Sequence, residues 1–251
     1  MRKLKTISRR EFISSGLAYF TFLTNSSFNL KLTYTLDELM GIKPKNLVSG
    51  NGYTLHKDAA GAFEKMQDYA KKDGILIKVV SSFRDYNHQV KIWNNKFNRY
   101  IAKGYGHEDA IKEIIKYSTL PGTSRHHWGS DLDIIQGNVD NKYFSKHDPL
   151  QEKYFTQSGI FYPLKSWLNK NSAKFGFYEV YTKDINRTGF NYEPWHFSYM
   201  PLSKNMLSDF LKYNLETEVL KNNINGIKYI NEKFIKNYIN QYILGINKIL
   251  I

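Results

Sequence analysis

Cysteine is missing from all 251 residues. No disulfide, thiolate metal ligand, lipidated cysteine or cysteine nucleophile can belong to this chain, although the lack does not fix a compartment. Proline is sparse at six residues, and no Pro-rich linker, repeat or low-complexity tract divides the sequence. That leaves one domain, long enough to bury a sizeable core. No apolar run approaches the roughly 20 residues of a membrane-spanning helix. Acidic residues are outnumbered, 23 against 36 basic ones, for a net charge of +13. The lysines are scattered and follow no nucleic-acid-binding motif, so no nucleic acid partner is expected and most of the charge reads as solvated surface.

Positive charge is concentrated only at the N-terminus. Residues 1–12 hold Arg2, Lys3, Lys5, Arg9 and Arg10 against Glu11, which leaves +9 on the remainder. Ile13 to Leu23 follows as an uncharged stretch of eleven residues, the length of a signal h-region. Within this segment, Ser8-Arg9-Arg10-Glu11-Phe12-Ile13 resembles a twin-arginine export signal, Ser/Thr-Arg-Arg-x-Phe-Leu. The expected division is residues 1–30 as signal and 31–251 as a single domain with a helical C-terminal tail. Twin-arginine export machinery would be a partner and the location periplasmic or exported. The protein would be membrane-tethered if the segment, which lacks an Ala-x-Ala site, stays uncleaved. A basic exported protein would be steered towards anionic wall polymers.

Two short polar segments carry chemistry: Ser124-Arg-His126-His-Trp-Gly129-Ser-Asp-Leu-Asp133 and Glu193-Pro-Trp195-His196. Two imidazoles and a carboxylate can hold Zn²⁺ in three of its four tetrahedral positions, leaving the last for a water whose pKa falls to roughly 7. Glu193 arrives on the same segment as His196 and supplies a base for that water. Leu132-Asp133-Ile134-Ile135 reads as a strand with Asp133 facing away from Leu132 and Ile134. Trp195 to Tyr199 alternates likewise, placing His196 with Ser198 on one face. Two adjacent strands would present Asp133 and His196 side by side, with His126 projecting from a turn-rich loop above them.

Elsewhere the pattern is mixed. Ala59 to Lys72 places Ala59, Phe63, Met66 and Ala70 on one helical face, and Ile75 to Val80 is a strand. Gln89 to Ala102, Glu108 to Tyr117 and Leu164 to Phe175 read as helices, the last ended by Gly176. Asn205 to Ile251 looks helical, with Ile235, Ile239, Tyr242 and Ile246 on one apolar face. Gln136 to Gln157 is a polar connection positioned to cover a cleft.

At these motifs the chain resembles the VanY-type D-alanyl-D-alanine carboxypeptidases of the LAS metallopeptidase group. Ser124, His126, Gly129 and Asp133 fall on the pattern Ser-x-His-x-x-Gly-x-Ala-x-Asp, and Glu193, Trp195 and His196 on Glu-x-Trp-His. Asp131 stands where the family usually has Ala, an extra negative charge on the strand face of Asp133. Ser81-Ser-Phe-Arg84-Asp-Tyr86-Asn-His-Gln89 matches Ser-x-Tyr-Arg-Ser-Tyr-x-x-Gln, with Phe83 for Tyr. The similarity extends from about Asp37 to Asn247. The resemblance implies an α+β fold, an antiparallel sheet carrying the metal with helices packed on one side. It implies zinc held by His126, Asp133 and His196, Glu193 as catalytic base, Arg84 on the scissile carbonyl, and Ser124 and Gln89 binding substrate, Gln89 by lining the site and Ser124 with nearby donors by holding the substrate's terminal carboxylate. The substrate would be a peptidoglycan stem peptide that loses its terminal D-alanine, and the enzyme a monomer.

His56, His88, His107 and His147 match no ligand spacing and read as ordinary surface or core residues. His127, beside the proposed ligand, reads as packing or solvent exposure, with a substrate or ligand-supporting role as the alternative, and Trp93, Trp128 and Trp167 as core or cleft-wall aromatics. Arg84 is expected to touch neither ligand nor core. The same metal centre serves L,D-carboxypeptidases and cross-link endopeptidases, and a zinc-bearing but inactive wall-binding module stands outside the enzymes. Retention of Glu193 argues against the last.

Overall fold

The computed structural model describes residues 32–140 and 148–251. The signal segment and its twin-arginine motif lie outside those residues. Chain contacts separate Met1–Thr33 from a compact unit, Tyr34–Ile251, to which everything below refers. Among the described residues no helix is long and apolar enough to cross a membrane.

Alternation along two segments creates the central sheet. Ile77–Ser81 (β3), Asp131–Gln136 (β4), Phe177–Glu179 (β5) and His196–Tyr199 (β6) assemble in the order β3-β4-β6-β5, with every pair antiparallel. The first helix, α1, is the short Leu36–Leu39. Leu132, Ile134 and Phe197 project to one side, where they join Phe63 and Met66 of α2 (Lys57–Lys72) and Leu164 and Leu168 of α5 (Tyr162–Asn171). Each such fully buried side chain contributes about 1.5–3 kcal/mol. The opposite face carries Asp131, Asp133, His196 and Ser198, all buried. The expected α+β architecture around an antiparallel sheet is therefore present, but the helices are not confined to one side: α2 and α5 cover the apolar face, while the helix that follows β3 walls the polar one.

The β3–β4 ladder contains a bulge. Val79 pairs with Ile134, but Ser81 rather than Val80 pairs with Asp133. One extra residue on β3 bends the strand end, as bulges do, and delivers Ser82 and Arg84 to the polar face. Asp85 then caps α3 (Tyr86–Ala102), its carboxylate accepting the His88 N–H at 2.7 Å. A hairpin of β1 (Leu47–Gly50) and β2 (Tyr53–His56) flanks this corner. Its β2 end packs against Gly129, where φ is +64° and an added Cβ would lie 2.7 Å from the His56 amide nitrogen.

A second core gathers Trp93, Trp128, Phe210 and Tyr238 from α3, from the 3-10 turn Arg125–Trp128, from α6 (Met200–Phe210) and from α8 (Glu232–Tyr238). The C-terminal segment is helical, as expected, but interrupted. It breaks into α6, α7 (Leu215–Leu220) and α8, followed by short turns. Asn214 and Asn231 each restart a helix as side-chain caps. Between them Gly226 takes φ +84° against the ring of Phe97. The buried Ile235, Ile243 and Ile246 confirm the packing role. Other helices begin a few residues from their predicted starts, and α4 (His107–Ile114) stops before Tyr117.

Candidate active site

β4 and β6 pair in a register that sets Asp133 directly opposite His196. Both side chains therefore leave the sheet together on its polar face. His126 sits in the 3-10 turn that precedes β4, not in an irregular loop, and its ring centroid lies 4.8 Å from that of His196. One ligand atom each from His126, Asp133 and His196 can be chosen so that all three lie within 4.8 Å of one another. The three residues are at most 5% exposed.

The outward-facing nitrogens of both rings are already engaged. His126 Nδ1 donates to the Ser82 carbonyl at 2.8 Å, which leaves the Nε2 lone pair towards Asp133 Oδ2, 3.4 Å away. His196 Nε2 donates to Asp131 Oδ2 at 2.9 Å, turning Nδ1 to Asp133 Oδ1 at 3.5 Å and Glu193 Oε2 at 3.2 Å. Asp133 Oδ1 is buried without a hydrogen-bond partner. Two imidazoles, each anchored through its outer nitrogen, and an orphaned carboxylate oxygen fit a zinc-type cation, with outer partners that orient the ligands. Burial disfavours charge on His196, yet the bonds to Asp131 and Glu193 and the nearby carboxylates overcome it and raise its pKa to about 10. Burial likewise raises the Glu193 carboxyl, opposed by the His196 contact.

Asp131 does not add a free charge to the pocket, as its place on the metal face had suggested. Its Oδ2 accepts from His196 and from Arg125 Nε at 2.9 Å, while Oδ1 accepts the hydroxyls of Ser130 and Ser198. With four donors on two oxygens the carboxylate is saturated, and its pKa is held far below the usual range: burial alone would raise it, but Arg125 and His196 prevail.

Arg84 is more tightly held than expected. Its N–H donates to the His126 carbonyl at 3.1 Å, and its guanidinium donates to Gln89 Oε1 at 2.7 Å and Ser81 Oγ at 2.9 Å. Gln89 is anchored in turn by its amide, which donates to the Thr119 carbonyl at 2.9 Å. His127 is a scaffold residue: Nδ1–H donates to the Arg84 carbonyl at 2.6 Å and Nε2 accepts the Gly122 N–H at 3.2 Å. Burial lowers its pKa to about 3.

Arg84, Ser124, His126, Asp133, Glu193 and His196 open on one cavity of about 570 Å³, and Gln89 backs Arg84 from behind. Residues 148 and 150–152 of the polar connection line it too, as predicted. Sequence reasoning missed Tyr181, whose ring meets His196 edge-on at 5.0 Å, and the cleft-lining cations Lys96 and Arg99. Tyr181 lies in no motif. Lys96 was legible only as seven residues, two helical turns, beyond Gln89.

The profile of the VanY D-alanyl-D-alanine carboxypeptidase family matches residues 52–202, short of the limits expected from sequence. A D-alanyl-D-alanine carboxypeptidase of Enterococcus faecalis is 32% identical over 151 residues, 60% of this chain and 50% of that protein. This chain thus spans about half the length of that relative. One of Enterococcus faecium is 25% identical over 90% of this chain and 67% of its own length. Among solved structures, VanYB in complex with D-alanine-D-alanine aligns with TM-score 0.51 and 24% identity, over 76% of this chain and 92% of that one. The LdcB LD-carboxypeptidase aligns with TM-score 0.50 and 24% identity, over 71% and 78%. These two establish a shared fold. With the profile covering more than half of it, the chain belongs to the VanY D-alanyl-D-alanine carboxypeptidase family.

Proposed function

We propose that this protein is a zinc-dependent carboxypeptidase that removes the terminal D-alanine from peptidoglycan stem peptides. One observation carries the reading: the buried His126, Asp133 and His196 group with Glu193 against His196. His126, Asp133 and His196 would hold Zn²⁺, which when bound acidifies a water and polarises an amide carbonyl. Glu193 takes the proton of the attacking water and returns it to the departing amine. Its burial, by raising the carboxyl pKa, brings the base nearer to neutral pH. Arg84, whose guanidinium is fixed by Gln89 and Ser81, donates to the carbonyl oxygen as charge develops. Ser124 contacts the substrate from the cleft wall, and Gln89 acts there mainly through Arg84.

Purified, zinc-loaded protein incubated with defined muropeptides tests this by mass spectrometry. Loss of one alanine from a pentapeptide is expected. Loss only from a tetrapeptide would make it an L,D-carboxypeptidase, cutting of cross-links an endopeptidase, and binding without mass change an inactive wall-binding module. Residues 1–30 are proposed as a twin-arginine signal. Arg9→Lys with Arg10→Lys should then leave the protein in the cytoplasm, and normal periplasmic levels of that variant would refute the route.

A further inference from the structure

α3 forms one wall of the cleft. Its site-facing side, which starts at Gln89, continues through Lys96 and Arg99, both of which line the cavity. Lys96 is half-buried, donates to Ser118 Oγ and, among the described residues, pairs with no carboxylate. Burial, with Arg99 and Arg84 close by, lowers its pKa, and Glu193 and Asp148 offset this only in part. The neighbouring cations are in no ion pair among the described residues either. Arg84 spends its guanidinium on Gln89 and Ser81. Arg99 lies 6.0 Å from the Tyr100 ring and in no ion pair among the described residues. Across the cleft Glu152 is already paired, with Lys183 at 2.5 Å.

The donors here outnumber the acceptors. An ammonium has three N–H groups, of which Lys96 uses one on Ser118; a hydroxyl that accepts from lysine keeps its own O–H to give. A partly desolvated ammonium, a hydroxyl and a guanidinium together suit an acceptor-only, negatively charged group. Lys96 and Glu193 line the same cavity.

We propose that Lys96, with Ser118 and Arg99, forms a carboxylate subsite in the cleft that holds a free carboxylate of the peptide substrate while Glu193 faces the amide being cut. The proposal rests on the peptidase reading above. The carboxylate has two possible sources, the C-terminus of the leaving residue or a branch on the retained side.

Three peptides ending in D-Ala-D-Ala separate them: one with every carboxylate free, one amidated at the C-terminus, and one amidated at a branch carboxylate. Zinc-loaded wild type should prefer the free peptide over one of the amides by about 10- to 100-fold in kcat/KM, mostly through KM. The rejected amide identifies the source. Lys96→Met and Lys96→Gln should lose that preference, and Lys96→Arg should recover part of it, with zinc content and Tm unchanged throughout. Equal discrimination by wild type and Lys96→Gln overturns the subsite. If wild type cuts none of the peptides, the peptidase reading fails separately. The subsite is then decided by titrating the free peptide into wild type and Lys96→Gln: a Kd at least tenfold weaker in the variant supports it, and equal values sink it.

Discussion

Asp133 and His196 owe their positions to a ladder, whereas His126 and Arg84 owe theirs to turns. On the strands, the pairing of Asp133 with His196 is one rung of an antiparallel register. Slipping that register by one residue would send both ligands into the core and Leu132 and Phe197 out of it, so core burial itself guards their geometry. On the turns, the geometry rests on a few bonds to carbonyls: His126 to Ser82, His127 to Arg84, and the Arg84 amide to His126. The strand half resists single substitutions. The turn half can be displaced by one.

The largest expected effect comes from the base that the loop before β6 sets against the strand half. Glu193→Gln should lower turnover by about 10²- to 10⁴-fold, while zinc content by mass spectrometry and Tm stay near wild type. Retained turnover would mean that the base is elsewhere. Arg84→Ala probes the turn half. A loss of about 10²- to 10³-fold in turnover is expected, with Arg84→Lys between. Because Arg84 bonds Ser81 and Gln89, the alanine variant should also lose about 1–2 kcal/mol of stability in urea titrations. A full loss of stability with kcat intact in the folded fraction would make Arg84 structural.

Asp131→Asn tests whether the strand half needs its outer carboxylate. The expected result is about 10- to 100-fold weaker zinc binding in chelator competition, with the sheet retained by circular dichroism. Unchanged affinity would reduce Asp131 to a partner for Arg125. The smallest effect belongs to His127. Its folded pKa of about 3 lies below the unfolded value near 6.5, so the unfolded chain binds more protons and stability falls as pH drops below about 6.5. His127→Gln should remove about 1.4 kcal/mol per pH unit from that acid slope between pH 6 and 4.5. An unaltered slope would place the loss in other groups.

How much of this was legible in the sequence follows the same division. Alternation around Asp133 and His196 was enough to predict paired strands, because a period of two survives in a single sequence. The turn half yielded Arg84 only through motif resemblance and His126 only as a ligand type, without its anchor, since no periodicity says that a carbonyl from Ser82 will meet an imidazole 44 residues on. Asp131 misled for a related reason. Its face was read correctly, but its charge is absorbed by Arg125, Ser130 and Ser198 as well as His196, partners whose hydrogen bonds exist only once the sheet has formed. The C-terminal segment kept its apolar spacing across breaks that the caps at Asn214 and Asn231 impose.

The bulge at the end of β3 makes the site sensitive to counting. Deleting Val80 would let Ser81 follow Val79 in unbroken register, and the sheet would gain regularity. Ser81 would still oppose Asp133 and the residues after it would keep their facing, but the bend that the extra residue imposes would be lost, shifting the Ser82 carbonyl and Arg84 relative to His126. A one-residue deletion at this point therefore separates folding from function: the chain would keep its core and lose the alignment of its two motifs. Lineages that conserve every motif residue but differ in length between Ile77 and Arg84 should accordingly differ in activity.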